Sequence, residues 1–120
     1  MLQNMSKLKT VFPLIPAPSY TGAAVYALVD ENGKRYNGST NNIQRRLKTH
    51  NQGIRDAITC GRSAFSAWWF VNAIKAGHTF TMEILEQIPP GTTRKEREAA
   101  ERRHLQASGG LDATYNDMPV

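Results

Sequence analysis

A short basic segment in the first half of the chain holds residue types that can bind phosphate. It runs from Lys34 to His50, reads KRYNGSTNNIQRRLKTH, and contains one tyrosine, one glycine, a polar turn and six basic side chains, with the histidine counted. Arginine can grip phosphate oxygens through two parallel hydrogen bonds, a geometry that lysine cannot copy. The segment is therefore either a generic basic surface or part of a reaction centre that handles phosphate.

The composition is that of a small globular protein with polyanionic partners. The chain has 120 residues, of which 40 % are hydrophobic and 21 % charged, so we expect one domain with one modest core. Its formal net charge of +5 makes nucleic acid the leading class of partner. The single cysteine, Cys60, excludes an internal disulfide. A zinc site would have to rest on three scattered histidines.

The N-terminal region bears on location and domain organisation. No apolar run reaches about 18 residues, the length that a membrane span needs, so we expect no membrane partner. The apolar segment VFPLIPAP is interrupted by three prolines, which makes it a poor secretory signal, and we expect a cytoplasmic protein. Residues 1–20 predict a proline-containing flexible arm, followed by a single domain over residues 21–120.

The segment around residue 32 predicts a β-hairpin. AAVYALVD and KRYNGS are strand candidates, and ENG between them predicts a turn with its glycine at positive φ. A three-residue loop, residues 31–33, sets Leu28 opposite Tyr36 and places Tyr26 and Tyr36 on one face of the sheet. A two-residue loop places the two tyrosines on opposite faces.

Helical patterns follow the hairpin. STNN is typical of a helix N-cap, and we expect a helix over residues 42–52 that ends at Gly53. Arg46 and His50 lie one turn apart on one stripe of this helix. SAFSAWWFVNAIKAG predicts a second helix, in which Trp69 faces the core and Trp68 either covers the core edge or stacks on a base.

The remaining pattern completes a small sandwich. HTFTMEILEQI predicts a third strand, and a capping box of Thr93 and Glu96 predicts the start of a helix that two glycines end. The tail DATYNDMPV is expected to lie back on the sheet. The order β-β-α-α-β-α predicts an α/β (α+β) sandwich with a three-stranded, mainly antiparallel sheet flanked by helices.

These motifs together resemble the GIY-YIG nucleases. AVY at residues 24–26 and YNG at residues 36–38 stand where that family has its two tripeptides. QRRLKTH resembles the family's arginine helix, MEILEQIP its third strand, EREAAERRHL its glutamate helix, and YN at residues 115–116 its closing asparagine. The resemblance covers about residues 23–118. It is closest to the catalytic domain of phage-intron homing endonucleases, without the DNA-recognition region that those enzymes append.

The resemblance implies hydrolysis of phosphodiester bonds with one divalent metal ion. Magnesium takes only one or two carboxylates from protein, so a single glutamate suffices, and manganese is expected to substitute. Tyr26 would act as general base or position the water. Because a free tyrosine has a pKa of about 10, it needs nearby positive charge, and Arg46, the metal ion or His50 could supply that charge or accept its proton. The implied catalytic residues are Tyr26, Tyr36, Arg46, His50, Glu101 and Asn116, with Glu101 as the metal ligand.

Several assignments have alternatives at this point. Glu98 lies three residues before Glu101 on the same side of the helix and is the second candidate for the metal ligand. Ala24 and Asn37 depart from the family pattern, and Asn37 predicts a more exposed or adapted strand. Neither departure removes a group that does chemistry. Taken singly, each site residue has an ordinary structural explanation, and only the joint pattern favours catalysis.

The sequence therefore predicts a metal-dependent endonuclease of low intrinsic sequence specificity that acts on DNA. RNA stays an alternative substrate, and a homodimer or a partner protein could supply specificity. The alternatives are a nucleic-acid-binding module of the same fold that does not cut, and an interference protein encoded by a phage or mobile element. The expected contacts with the nucleic-acid backbone are Lys34, Arg35, Arg45 and Lys48.

Overall fold

The computed structural model describes residues 14–60 and 68–116 of the chain. Within them, the strands Ala23–Asp30 (β1), Arg35–Thr40 (β2) and Phe80–Ile88 (β3) form one antiparallel sheet in the order β2-β1-β3. The helices are Ile43–Cys60 (α1), Trp68–Lys75 (α2) and Arg94–Ala107 (α3), and a single 3-10 turn follows at Leu111–Ala113. The observed order β-β-α-α-β-α confirms the predicted fold.

The hairpin has the three-residue loop. Leu28 pairs with Tyr36, and Gly33 adopts a φ of 87°, which glycine tolerates without steric cost. The backbone N–H of Asp30 donates to the carbonyl of Lys34 at 3.0 Å, so the strands pair up to the loop itself. This register confirms that Tyr26 and Tyr36 project from the same face of the sheet.

Helices cover both faces of the sheet. The face that carries Tyr26 and Leu28 packs against apolar side chains of α1 and α2 and forms the main core. The opposite face is covered by α3 over a smaller cluster that contains Val25, Ile88 and Ala100. Since β2 lies at one edge of the sheet, its outer side is the place where groups from the two layers can meet.

Helix α1 extends well beyond its predicted end at Gly53. It continues to Cys60, because Ile54 and Ala57 carry the apolar stripe forward and both are buried. A glycine inside a helix costs about 1 kcal/mol relative to alanine, and burying an isoleucine side chain contributes about 1.5–3 kcal/mol. Core burial therefore outweighs the local preference for a helix end.

The other helix boundaries agree with the local signals. Gly77 ends α2 with a φ of 92°, although residues 63–67 of the predicted helix lie outside the described residues. Thr93 and Glu96 form the predicted capping box at the start of α3. After α3 the chain returns to the sheet, where the backbone N–H of Tyr115 donates to the carbonyl of Arg35 at 2.7 Å.

The described part of the N-terminal segment contacts the domain. Ile15 is buried in the main core, and its backbone N–H and carbonyl bond the side-chain amide of Asn51 at 2.7 and 3.1 Å. Residues 1–13, most of the predicted arm, lie outside the described residues. Among the described helices, none combines the length and apolar character that crossing a membrane requires.

The prediction of an exposed strand around Asn37 is wrong. The side chain of Asn37 is fully buried, at 0 % exposure, because it faces the layer that α3 covers. Within the described residues, neither its Oδ1 nor its Nδ2 has a hydrogen-bond partner. A buried polar group without a partner costs about 1–3 kcal/mol, so the fold tolerates a local loss of stability here.

Replacing Asn37 by leucine should therefore raise the free energy of unfolding by about 1–3 kcal/mol, since leucine keeps the branching at Cγ and removes the unpaired polar atoms. Urea unfolding followed by circular dichroism measures the change. Asn72→Leu, at an exposed position of α2, is the matched control and should change stability by less than about 0.5 kcal/mol. A loss of stability in Asn37→Leu would show that the amide has a bonded partner in solution.

Candidate functional site

Tyr26 reaches the free edge of the sheet across a glycine. It lies on β1 opposite Gly38 of β2, and a Cβ built on Gly38 would lie 2.7 Å from both Cζ and Oη of the tyrosine. Such a distance is far inside van der Waals contact, so any side chain at this position would displace the ring. The glycine therefore lets the Tyr26 hydroxyl extend to the outer edge of β2.

The Tyr26 hydroxyl is bonded by two residues of α1. Its Oη lies 2.9 Å from Nε2 of His50, and the Arg46 guanidinium also hydrogen-bonds it. A consistent arrangement has Arg46 donating to Oη while the hydroxyl proton points to Nε2 of His50. The i, i+4 spacing of Arg46 and His50 on α1 is what brings both to one oxygen.

The pKa of Tyr26 differs from the expectation. Burial raises the pKa of Tyr26 above its ordinary value, and the nearby Tyr36 adds to the increase. The charge and hydrogen bond of Arg46 act in the opposite direction but do not compensate. In the protein alone, the positive charge of Arg46 therefore does not lower the pKa of Tyr26 below its ordinary value, because the phenolate would be desolvated inside the core.

His50 is neutral in this environment. Burial, with the charge of Arg46 as the second cause, lowers the pKa of His50 from 6.5 to about 3. The imidazole is only 6 % exposed, so protonation would place an unsolvated cation beside an arginine. At neutral pH one ring nitrogen is thus unprotonated and can accept the Tyr26 proton.

The low pKa of His50 should make folding stability depend on pH. Between about pH 6.5 and pH 3 the unfolded chain binds a proton at His50 and the folded chain does not, so stability falls as the pH decreases. About 2 kcal/mol should be lost from this group between pH 7 and pH 5. Urea unfolding at both pH values should show that loss in the native protein relative to His50→Gln, which cannot titrate there. A parallel loss in both proteins would contradict the burial of a neutral His50.

Tyr36 is held by an aromatic stack. Its ring stacks on Trp69 of α2 at a centroid distance of 4.8 Å, and Trp69 stacks in turn on Tyr115 at 4.9 Å. Tyr115 is anchored by a hydrogen bond of 2.6 Å from its hydroxyl to Oδ2 of Asp30. Trp69 packs against the main core as predicted, while the side chain of Trp68 lies outside the described set.

Glu101 approaches the same edge from the other layer. Its Oε1 accepts a hydrogen bond of 2.7 Å from Oγ of Ser39, and it is half-buried between α3 and β2. Burial raises the pKa of Glu101, and the charge of Glu98 adds to this, while the Ser39 hydrogen bond and Arg46 lower it. Glu101 and Arg46 also both influence the Tyr26 hydroxyl electrostatically, so the three groups form one cluster.

A polar cleft of about 290 Å³ lies over this cluster, between the end of β2 and α3. It is lined by Ser39, Thr40, Asn41, Arg46, Arg94, Arg97, Glu98 and Glu101. Among the described residues, no group of three or more His, Cys, Asp or Glu side chains is placed to hold a metal ion. One carboxylate, a second beside it and two hydroxyls are nevertheless a donor set of hard oxygens, which suits magnesium with most of its water retained.

Asn116 secures the outer edge of β2. Its Oδ1 accepts from the backbone N–H of Asn37 and its Nδ2 donates to the carbonyl of Asn37, both at 2.8 Å. The side-chain amide thus bonds the edge strand as a neighbouring strand would. These described hydrogen bonds of Asn116 hold the backbone of β2 in place.

The four residues that were predicted to contact the nucleic-acid backbone lie in two separate groups. Arg45 is exposed at the start of α1, where its Nη2 donates to Oδ1 of Asn41 at 2.7 Å beside the cleft, and Lys48 is exposed one turn further on. Lys34 and Arg35 lie at the hairpin end of β2, about 17 Å from the cleft end of the strand. There Lys34 covers the Tyr115 ring and Arg35 pairs with Glu83 at 3.0 Å.

The cleft also contains residues that the sequence analysis did not single out. Ser39 follows the second tripeptide directly, and Arg97 lies four residues before Glu101. The i, i+4 spacing of Arg97 and Glu101 on a predicted helix would have identified the arginine as a neighbour of the carboxylate. No local signal would have identified Ser39, because its contact with Glu101 joins residues 62 positions apart.

The comparisons with known proteins support one family. The model of the GIY-YIG catalytic domain matches residues 22–111, which include both tripeptides, α1 and Glu101 and end before Asn116. No curated protein and no solved structure matches the chain. Because the match extends over most of the chain and the fold agrees with it, the protein belongs to the GIY-YIG catalytic domain family, a family of nucleases that act on DNA and generally use divalent metal ions.

Proposed function

We propose that this protein is an endonuclease that hydrolyses phosphodiester bonds in DNA with the help of one divalent metal ion. The observation that carries the proposal is the convergence of Tyr26, Arg46 and Glu101 at the free edge of β2, from both layers of the fold. A general base, a phosphate-binding guanidinium and a carboxylate are the groups that such a hydrolysis needs.

Arg46 connects the buried tyrosine to the cleft. It lines the cleft and also hydrogen-bonds the fully buried Tyr26 hydroxyl. A phosphate bound in the cleft would engage this guanidinium through paired hydrogen bonds. Drawing Arg46 toward the phosphate would uncover Oη of Tyr26 to the attacking water, so the base becomes accessible only when substrate is bound.

The proton of the attacking water would pass through Tyr26 to His50. Water attacks phosphorus, the phosphorus–oxygen bond to the leaving sugar breaks, and the sugar oxygen takes up a proton from solvent. Oη of Tyr26 accepts the proton from water as its own proton moves to Nε2 of His50, 2.9 Å away. The charge of Arg46 helps to lower the pKa of His50, so an anion bound to Arg46 would make His50 a better acceptor.

Glu101 is the residue proposed to hold the metal ion. A divalent ion would supply charge stabilisation for the phosphate oxygens in the transition state. Ser39 fixes one carboxylate oxygen of Glu101, which orients the group toward the cleft as a supporting hydrogen bond does in metal sites. Magnesium is the proposed ion and manganese its substitute, with Glu98 as the second candidate ligand.

Substrate preference and biological role extend the same proposal. We propose a single domain over residues 21–120. No reading helix is evident in the described residues 14–60 and 68–116, so low intrinsic sequence specificity is proposed, with a homodimer or partner protein as the source of any specificity. Tyr36 would bond the water or phosphate, and the exposed Arg45 and Lys48 would contact the backbone beside the cleft. Kinship with phage-intron homing endonucleases and action in the cytoplasm rest on the sequence alone.

A supercoiled-plasmid nicking assay tests the proposal. The intact protein should nick DNA with magnesium or manganese and should stop when a chelator removes the metal. DNA binding by fluorescence anisotropy in the presence of chelator is the parallel measurement. Binding without nicking under any metal would favour a non-cleaving binding module, and neither binding nor nicking would favour a protein target. An RNA substrate in the same assay decides between the two nucleic acids.

A further inference from the structure

One arginine in the cleft has no role in the chemistry described above. Arg97 lies on α3 one turn before Glu101, about 6 Å along the helix axis, and lines the same cleft. The expected set of nucleic-acid contacts did not include it. Its position beside the proposed catalytic cluster, but outside it, makes it a candidate for a neighbouring part of the substrate.

The hydrogen bonding of the cleft leaves Nε of Arg97 without an acceptor among the described residues. The other charged side chains have partners: Arg94 donates to Glu98 at 3.1 Å, Glu101 accepts from Ser39, and Arg46 bonds Tyr26. Nε of Arg97 is buried and, within the described residues, has no hydrogen-bond partner. Buried donors in folded proteins are nearly always paired, so this guanidinium has hydrogen-bonding capacity that the described side chains do not use.

Arg97 is cationic and lines the cleft, so an anion in the cleft is the acceptor that best matches its guanidinium. Among the described residues, the hydrogen bonds of the two carboxylates in the cleft join them to other donors, Glu98 to Arg94 and Glu101 to Ser39. A guanidinium presents N–H groups in a planar fork that matches phosphate oxygens. A phosphate of a bound strand can fill this position while the scissile phosphate engages Arg46.

We propose that Arg97 binds the nucleic-acid phosphate next to the scissile one and is a substrate-binding residue of this cleft. The inference rests on the proposed function for the identity of the ligand, and it goes beyond it by fixing where the strand runs. The strand would lie along the first turns of α3, from Glu101 toward Arg97. Affinity and its salt dependence, not the chemical step, are the quantities that this contact determines.

Fluorescence anisotropy measures both the affinity and its salt dependence. A short fluorescein-labelled DNA duplex is titrated with the protein in the presence of chelator, at KCl concentrations between about 50 and 200 mM. Arg97→Met should weaken binding about tenfold at the lower salt and reduce the slope of log Kd against log [KCl] by about 1. Arg97→Lys keeps the charge and should keep the slope. Thermal unfolding of each variant should show a midpoint equal to or above that of the native protein, because the unpaired donor is removed.

Arg103→Met is the matched control. It removes the same charge from the same helix at an exposed position outside the cleft, where Arg103 lies 3.5 Å from Glu86. Its affinity should stay within about twofold of native and its slope unchanged. Equal behaviour of the Arg97 and Arg103 variants would overturn the proposal, as would loss of binding in Arg97→Met that Arg97→Lys fails to restore toward the native slope.

The outcome separates this inference from the proposed nuclease activity. Nicking by the native protein together with equal binding by both methionine variants would overturn the Arg97 contact and leave the activity intact. A selective effect of Arg97→Met on binding, without nicking by the native protein, would keep the phosphate contact and overturn the activity. If the native protein binds neither duplex nor single-stranded DNA, both proposals fail.

Discussion

Replacing Glu101 by glutamine should lower the metal-dependent nicking rate by about 10³-fold or more. Glutamine keeps an oxygen that can accept the Ser39 hydrogen bond but loses the negative charge that a divalent cation requires. Charge stabilisation by a bound metal is worth several kcal/mol in the transition state, and each 1.36 kcal/mol is a factor of about 10 in rate. The nicking rate at saturating magnesium and the magnesium affinity, measured by calorimetric titration, should both decrease.

The stability of Glu101→Gln shows whether a loss of nicking comes from the missing metal ligand or from unfolding. Burial raises the pKa of Glu101 and the neighbouring Glu98 raises it further, so removing the charge should leave stability equal or increased. Glu98→Gln is the matched control, since it removes the same charge one turn earlier from a carboxylate paired with Arg94. It should retain the rate within about tenfold. The reverse result, with Glu98 essential and Glu101 dispensable, would move the metal to Glu98.

Tyr26→Phe should reduce the nicking rate by about 10²–10⁴-fold, the usual contribution of general acid–base catalysis. Phenylalanine keeps the ring that lies against Gly38 and removes only the oxygen that contacts His50 and Arg46. DNA affinity in chelator should remain within about threefold, because Arg46 is still free to bind phosphate. Single-turnover nicking with excess enzyme measures the chemical step directly.

Tyr20→Phe is the control variant, because it removes a tyrosine hydroxyl that lies outside the cleft. Its hydroxyl donates to the carbonyl of Ala23 at 2.7 Å and has no contact with the cleft, so the nicking rate should stay close to native. Both variants should lose about 1 kcal/mol of stability for the missing hydrogen bond. A Tyr26→Phe protein that still nicks at the native rate would exclude the hydroxyl from the reaction and leave only its packing role.

The hairpin and the helix caps could be read from short stretches of sequence. Glycine at residue 33 requires a loop that tolerates positive φ, and the alternation of side chains then fixes which residues share a face. The pair Tyr26 and Tyr36 follows from this register, and the pair Arg46 and His50 follows from the helical period. These relations are local, because each joins residues within one hairpin or two turns of one helix.

Other features depend on contacts between layers that no local pattern contains. The burial of Asn37 depends on α3 covering its face of the sheet, and the length of α1 depends on the core that receives Ile54. The raised pKa of Tyr26 has the same origin, since burial outweighs the positive charge beside it. In each case the free energy of burial, which is set by the assembled layers, exceeds the local preference of the residue.

The cleft itself combines both kinds of information. The motifs that carry Tyr, Arg and Glu were evident along the chain, and their resemblance to the GIY-YIG nucleases implied phosphodiester chemistry. The sheet edge brings Glu101 and Ser39, which lie on different elements, opposite Arg46 across one cleft. Arg97 lines the same cleft, and its Nε has no acceptor among the described residues. The sequence thus determined which chemical groups this protein has available. Tertiary packing determined where those groups come together, because only packing brings residues distant in the chain within hydrogen-bonding distance.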